Sequence, residues 1–130
     1  SGGKYIAPSH IEQMIKSSRF VNQVVLVGNE RKFRAALIVP NFEMLESYAE
    51  LKGLEIKTPA EFCKHERIRN LFERQIAQHT TGLAQYETVK KFVLIENELT
   101  VESGELTPTL KVKRRVVDQN YKALIDEMYA

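Results

Sequence analysis

Val21-Asn22-Gln23-Val24-Val25-Leu26-Val27, then Gly28-Asn29-Glu30-Arg31, then Phe33-Arg34-Ala35-Ala36-Leu37-Ile38-Val39 sets the architecture of this chain. Two runs rich in β-branched and apolar residues flank a turn-forming tetrad, the pattern of an antiparallel hairpin. From Ala35 to Val39 the apolar residues do not alternate with polar ones. A strand of that kind is covered on both faces, so the sheet is expected to sit inside helices.

Working upstream, Pro8-Ser9 offers a helix start leading into Ile11, Met14 and Ile15 at helical spacing, which predicts a short helix from Ser9 to Ser18. Downstream, Pro40 ends the second strand. Asn41 can then cap a helix with Phe42, Leu45, Tyr48, Ala49 and Leu51 mainly along one face, stopped by Gly53. Thr58-Pro59-Ala60-Glu61 is an N-cap, a proline at the first helical position and an acidic first turn, opening a long segment that is either one helix or two in sequence, with His65-Glu66 offering a break, and that ends at Gly82. Val89 to Ile95 reads as a third strand and Ser103-Gly104 as a turn. Val116 to Met128 reads as a C-terminal helix with Tyr121, Leu124, Ile125 and Met128 facing the core. The expected fold is α+β: a small antiparallel or mixed sheet of about three strands flanked by helices, with no internal repeat.

The composition fits one domain, since 130 residues with 43% hydrophobic content can bury a core without metals or disulfides. Nineteen basic against 17 acidic side chains leave a charge of +2, too balanced for nucleic-acid binding by bulk electrostatics. Cys63 is the only cysteine, which excludes an intrachain disulfide and fits a reducing cytoplasm. The apolar runs are far shorter than the roughly 20 residues that cross a bilayer, and no signal-peptide pattern opens the chain, so a soluble protein is expected. Ser1-Gly2-Gly3 is the kind of start that belongs to a connecting loop, and residues 1–130 are expected to be one domain cut from a larger protein.

Composition does not explain the stretch Gly104-Glu105-Leu106-Thr107-Pro108-Thr109-Leu110-Lys111-Val112-Lys113-Arg114-Arg115, with four basic residues in five positions. Pro108 stiffens the approach, and Thr107 and Thr109 add hydroxyls beside a lysine that a loop could deliver to a phosphate or carboxylate. The plain alternative is a solvated basic turn before a helix whose dipole disfavours those cations. His10, His65 and His79 lack metal-site spacing, and Cys63 beside Phe62 reads as a small buried hydrophobe.

Taken together, the two ends of the chain resemble the C-terminal domain of the adenylate-forming superfamily of acyl-CoA synthetases, luciferases and peptide-synthetase adenylation domains. Ser1-Gly2-Gly3-Lys4-Tyr5-Ile6-Ala7-Pro8, followed by Ile11-Glu12, is similar to the glycine loop that opens that domain, and Leu106 to Arg114 to its lysine motif. Most of the family has glycine before the lysine, where this chain has Leu110. That departure, with the Gly2-Gly3-Lys4-Tyr5-Ile6 form of the first loop, is similar to the long-chain fatty acid branch and sets medium-chain, aryl and amino-acid activators second.

The resemblance implies a lid on a large N-terminal domain of the same polypeptide, joined by a hinge upstream of Ser1. It implies ATP, CoA and a fatty acid as substrates, with Mg2+ accompanying ATP and no ligands for it in this segment. Lys111 would serve adenylation; Gly2, Gly3 and Lys4 would line the CoA channel during thioester formation, with the lid swinging between two poses. Lys113, Arg114 and Arg115 are expected to be structural. No nucleic acid is expected as a partner, the location is expected to be cytoplasmic, and peripheral membrane association is left open. Two rivals stand: the same domain from a ligase for another carboxylic acid, and a free-standing α+β module gripping an anionic partner through its basic loop.

Overall fold

The computed structural model describes residues 6–28 and 31–130. Its elements run α1 (Pro8–Lys16), β1 (Val21–Val27), β2 (Arg34–Pro40), α2 (Phe42–Lys52), α3 (Pro59–Lys64) and α4 (Glu66–His79). A 3-10 turn (Gln85–Glu87) leads into β3 (Val89–Leu94), followed by α5 (Arg114–Asn120) and α6 (Lys122–Met128). The strands lie in the order β1-β2-β3, with β1 antiparallel and β3 parallel to β2, so the sheet is mixed and the α+β expectation holds.

β2 is central, and both its faces are covered. Ala36 and Ile38 face one apolar cluster with Val24, Leu26, Ile11, Ile15, Phe62 and Phe72. Ala35, Leu37 and Val39 face another with Val25, Val27, Leu106, Val117 and Ile125. The unalternating run of the sequence is thus a strand with α1–α4 on one side and α5–α6 on the other. Fully burying a branched side chain such as Ile38 contributes about 2 kcal/mol, which makes β2 the least replaceable element.

Local chemistry sets most boundaries. The Asn41 side chain accepts the Met44 N–H at 3.1 Å, and Gly53 ends α2 at φ 69°. Thr58 and Glu61 close a reciprocal capping box: the Glu61 N–H donates to Thr58 Oγ1 at 3.1 Å and the Thr58 N–H to Glu61 Oε1 at 3.0 Å. His65, in extended conformation, stops α3, and its Nδ1 accepts the Arg67 N–H to start α4, so of the two readings the segment is two helices.

In the β1–β2 connection, the Arg31 N–H donates to the Gly28 carbonyl at 2.9 Å; Asn29 and Glu30, named for the turn, lie outside the described residues. Gly28 has φ 85°, and a β-carbon there would stand 1.9 Å from the Tyr129 hydroxyl. Tyr129 stacks on Phe33 with centroids 4.5 Å apart and donates to the Phe33 carbonyl, fastening the end of the chain to this hairpin.

Four expectations are corrected. The C-terminal helix starts at Arg114, and it is two helices, broken at Tyr121 (φ −114°, ψ 21°). Asn120 is a weak helix former, and its side chain is drawn to the buried Glu105 carboxylate at 3.0 Å. Leu124 does not face the core but is 36% exposed, and Leu51 turns away from the apolar face of α2 at 80% exposed. Finally, α4 stops at His79 before Gly82, because the Thr80 hydroxyl donates back to the Ile76 carbonyl at 2.6 Å.

Candidate functional site

The basic stretch folds as a second, much smaller hairpin held by one antiparallel bridge, Leu106 to Val112. Leu110 N–H donates to the Thr107 carbonyl at 2.7 Å, and Thr107 N–H donates to the Lys111 carbonyl at 2.8 Å. Thr107 Oγ1 accepts the Lys111 N–H at 3.0 Å and lies 3.1 Å from Thr109 Oγ1. This is a short loop closed by one left-handed residue, a position that normally takes glycine. Here it is Leu110, at φ 67°. The strain of that conformation costs about 1–2 kcal/mol for a residue with a β-carbon. At the departure from Gly-Lys noted in the sequence, a leucine therefore occupies a backbone conformation that favours glycine.

Lys111 follows on the exposed tip, and among the described residues no hydrogen bond or ion pair holds its ammonium group. Together with Leu110 it lines a cleft of about 570 Å3 whose other wall is α1 and β1, through Ser9, Gln13, Lys16 and Gln23. A cation on a stiff, solvent-facing turn is ready to meet an anion brought to it.

Arg114, three positions on, is a structural residue. Its Nη1 donates to Glu12 Oε2 at 2.8 Å and its Nη2 to Glu12 Oε1 at 2.9 Å, a two-pronged pair. Glu12 Oε2 also accepts the Leu26 N–H at 2.7 Å, and Arg114 Nη1 reaches the Leu26 carbonyl at 3.3 Å. The pair thereby satisfies the Leu26 N–H and carbonyl on the open edge of β1 and answers the unfavourable cation at the start of α5. It also ties the lysine hairpin to α1, the helix that follows the glycine loop. Sequence reasoning quoted both residues without pairing them; opposite charges within the two end motifs were the available signal.

Gly2, Gly3 and Lys4, named for the CoA channel, lie outside the described residues. Just beyond them, the Ile6 carbonyl accepts from Arg34 Nη2 at 3.0 Å, and the same nitrogen makes a 2.9 Å ion contact with the buried Glu87 carboxylate. Lys113 and Arg115 are exposed. Burial, with the Glu96 carboxylate adding to it, pushes the Cys63 thiol up to about 11, which leaves it protonated at neutral pH and a poor nucleophile. Among the described residues no three His, Cys, Asp or Glu side chains converge as around a metal ion. No described helix is long and apolar enough to cross a membrane.

The chain belongs to the family described as the AMP-binding enzyme C-terminal domain, whose model matches residues 1–130. Human long-chain-fatty-acid–CoA ligase 6 is 31% identical over 131 residues, covering 98% of this chain and 19% of the relative. Long-chain-fatty-acid–CoA ligase FadD15 of Mycobacterium tuberculosis is 27% identical, over 99% of this chain and 22% of its own length. Among solved structures, the adenylation domain of a carboxylate reductase from Mycobacterium chelonae superposes with a TM-score of 0.78 at 28% identity, over 98% of this chain and 18% of that one. The chain thus spans about a fifth of the length of the curated relatives it matches.

Proposed function

We propose that this domain is the lid of a long-chain fatty acid–CoA ligase that works through an acyl-adenylate. In the first step a fatty acid carboxylate oxygen attacks the α-phosphorus of ATP. An O–P bond forms, the bond from that phosphorus to the bridging oxygen breaks, and pyrophosphate leaves with the electron pair. In the second, the CoA sulfur, having lost its proton, attacks the acyl carbon and AMP departs. Mg2+ would accompany ATP, and no residue of this chain is assigned to it.

The first step brings anion to anion. A cation contacting both the carboxylate and the α-phosphate offsets their repulsion and holds the in-line geometry. Lys111 is assigned that role. Gly2, Gly3 and Lys4 are assigned to the CoA channel, where residues without a β-carbon let backbone approach a narrow pantetheine arm. A lid that alternates between two poses over a large N-terminal domain of the same polypeptide gives each motif its own step.

The observation that carries the assignment is the lysine hairpin itself: an ammonium group with no partner among the described residues, on an exposed, internally braced tip. The names of the ligase relatives support the fatty acid and CoA. A second reading, adenylation of another carboxylic acid, is favoured by the likeness to the carboxylate reductase adenylation domain.

Pyrophosphate release by the full-length protein, measured across fatty, aryl and amino acids with and without CoA, tests the choice. Fastest turnover on long-chain fatty acids, sustained only with CoA, is expected. A preference for aryl or amino acids would overturn the fatty acid assignment. The 130-residue domain by itself is expected to be inactive.

A further inference from the structure

Leu110 is the one described residue other than glycine with a positive φ. Its β-carbon is crowded in that conformation, and glycine or asparagine would occupy the position with less strain. The rest of the tip is already fixed without the leucine side chain, by Pro108 and by the bonds from Thr107 to Lys111 and Leu110. Nor does burial explain it: although it is among the residues lining the cleft formed with α1 and β1, the side chain is 68% exposed. Nothing within the described chain therefore rewards a leucine here.

We infer that Leu110 is a positioning residue: an apolar plug that seats the hairpin tip on an apolar wall of the large domain and so sets how far Lys111 reaches. The inference rests on the proposed role of Lys111. The side chain has no polar group to offer, so its complement is an apolar surface. The adjoining cation of Lys111 requires that this surface border the site where the two anions meet. An apolar stop beside a flexible four-carbon ammonium arm converts loose delivery into one depth and one direction, which is the orientation a reacting carboxylate and phosphate need. Strain at an exposed, function-bearing turn fits a contact made in another pose.

The test uses the full-length protein with Leu110→Gly, Leu110→Asn and Leu110→Met, and Lys111→Ala alongside. Pyrophosphate release from ATP and fatty acids of several chain lengths is followed, as is thioester formation from supplied acyl-adenylate. Leu110→Gly and Leu110→Asn are expected to lower kcat for pyrophosphate release about tenfold or more, with KM for the acid and the thioester step within about twofold. Leu110→Met, strained but apolar, is expected to restore the rate to within about threefold. Melting temperatures of the Gly and Asn variants should not fall, since both relieve strain.

Gly and Asn variants as fast as the parent, or failure of Met to restore the rate, would overturn the plug. So would equal loss in both steps, or a loss that changes with acyl length, which would place the leucine on the substrate instead. If Lys111→Ala leaves pyrophosphate release intact, the role of Lys111 fails. If Lys111→Ala slows it and Leu110→Gly does not, only the plug fails.

Discussion

The molecule contains two hairpins built on opposite terms. In β1–β2 a left-handed position belongs to Gly28, most strand residues are buried, and the Tyr129 hydroxyl lies against Gly28. In the lysine hairpin the left-handed position belongs to Leu110, one bridge holds the arms, and the tip faces solvent. The first packs its strands into the two apolar clusters; the second keeps a strained leucine and a cation without a partner among the described residues at an exposed tip. The two hairpins are thus told apart by the residue each puts at a left-handed position, glycine in one and leucine in the other.

The contrast breaks most visibly at its extremes. Ile38→Asp would bury a carboxylate at the centre of β2 at a cost above about 5 kcal/mol, enough to abolish folding as read by circular dichroism. Lys111→Ala should leave urea unfolding of the same 130-residue chain within about 0.5 kcal/mol of the parent.

Next in size, Gly28→Ala combines a left-handed alanine with displacement of the Tyr129 ring, and is expected to cost about 3 kcal/mol in urea unfolding. An unchanged midpoint would show that the Tyr129 closure contributes nothing. Arg114→Met leaves the Glu12 carboxylate buried with the Leu26 N–H as its remaining described partner. Because the arginine side chain is 41% exposed, the full penalty for breaking a buried pair is discounted to about 2 kcal/mol.

The smallest effect has the opposite sign. Leu110→Gly relieves left-handed strain while adding unfolded-state entropy, for a net gain of about 0.5 kcal/mol. Removing a glycine from one hairpin and adding one to the other should therefore move stability in opposite directions.

Much of the scaffold was legible because its signals are local. The β-branched runs on either side of Gly28, the Asn41 cap, the Thr58–Glu61 box and the stop at Gly53 are each read within a few residues. The break at Tyr121 was not, because it depends on Asn120 reaching Glu105 across the turn. The Glu12–Arg114 pair joins positions 102 residues apart, beyond any local periodicity. Of the candidate site, Lys111 was legible as part of a basic run after a proline. The φ of Leu110 was hidden, because residue type alone argues against it.

The proposed action of Lys111 in adenylation is decided by the two half-reactions of the full-length Lys111→Ala enzyme. Pyrophosphate release from ATP and fatty acid should fall by about 100-fold or more, while thioester formation from supplied acyl-adenylate and CoA stays within about twofold. Equal loss in both half-reactions, or none in the first, would contradict the account.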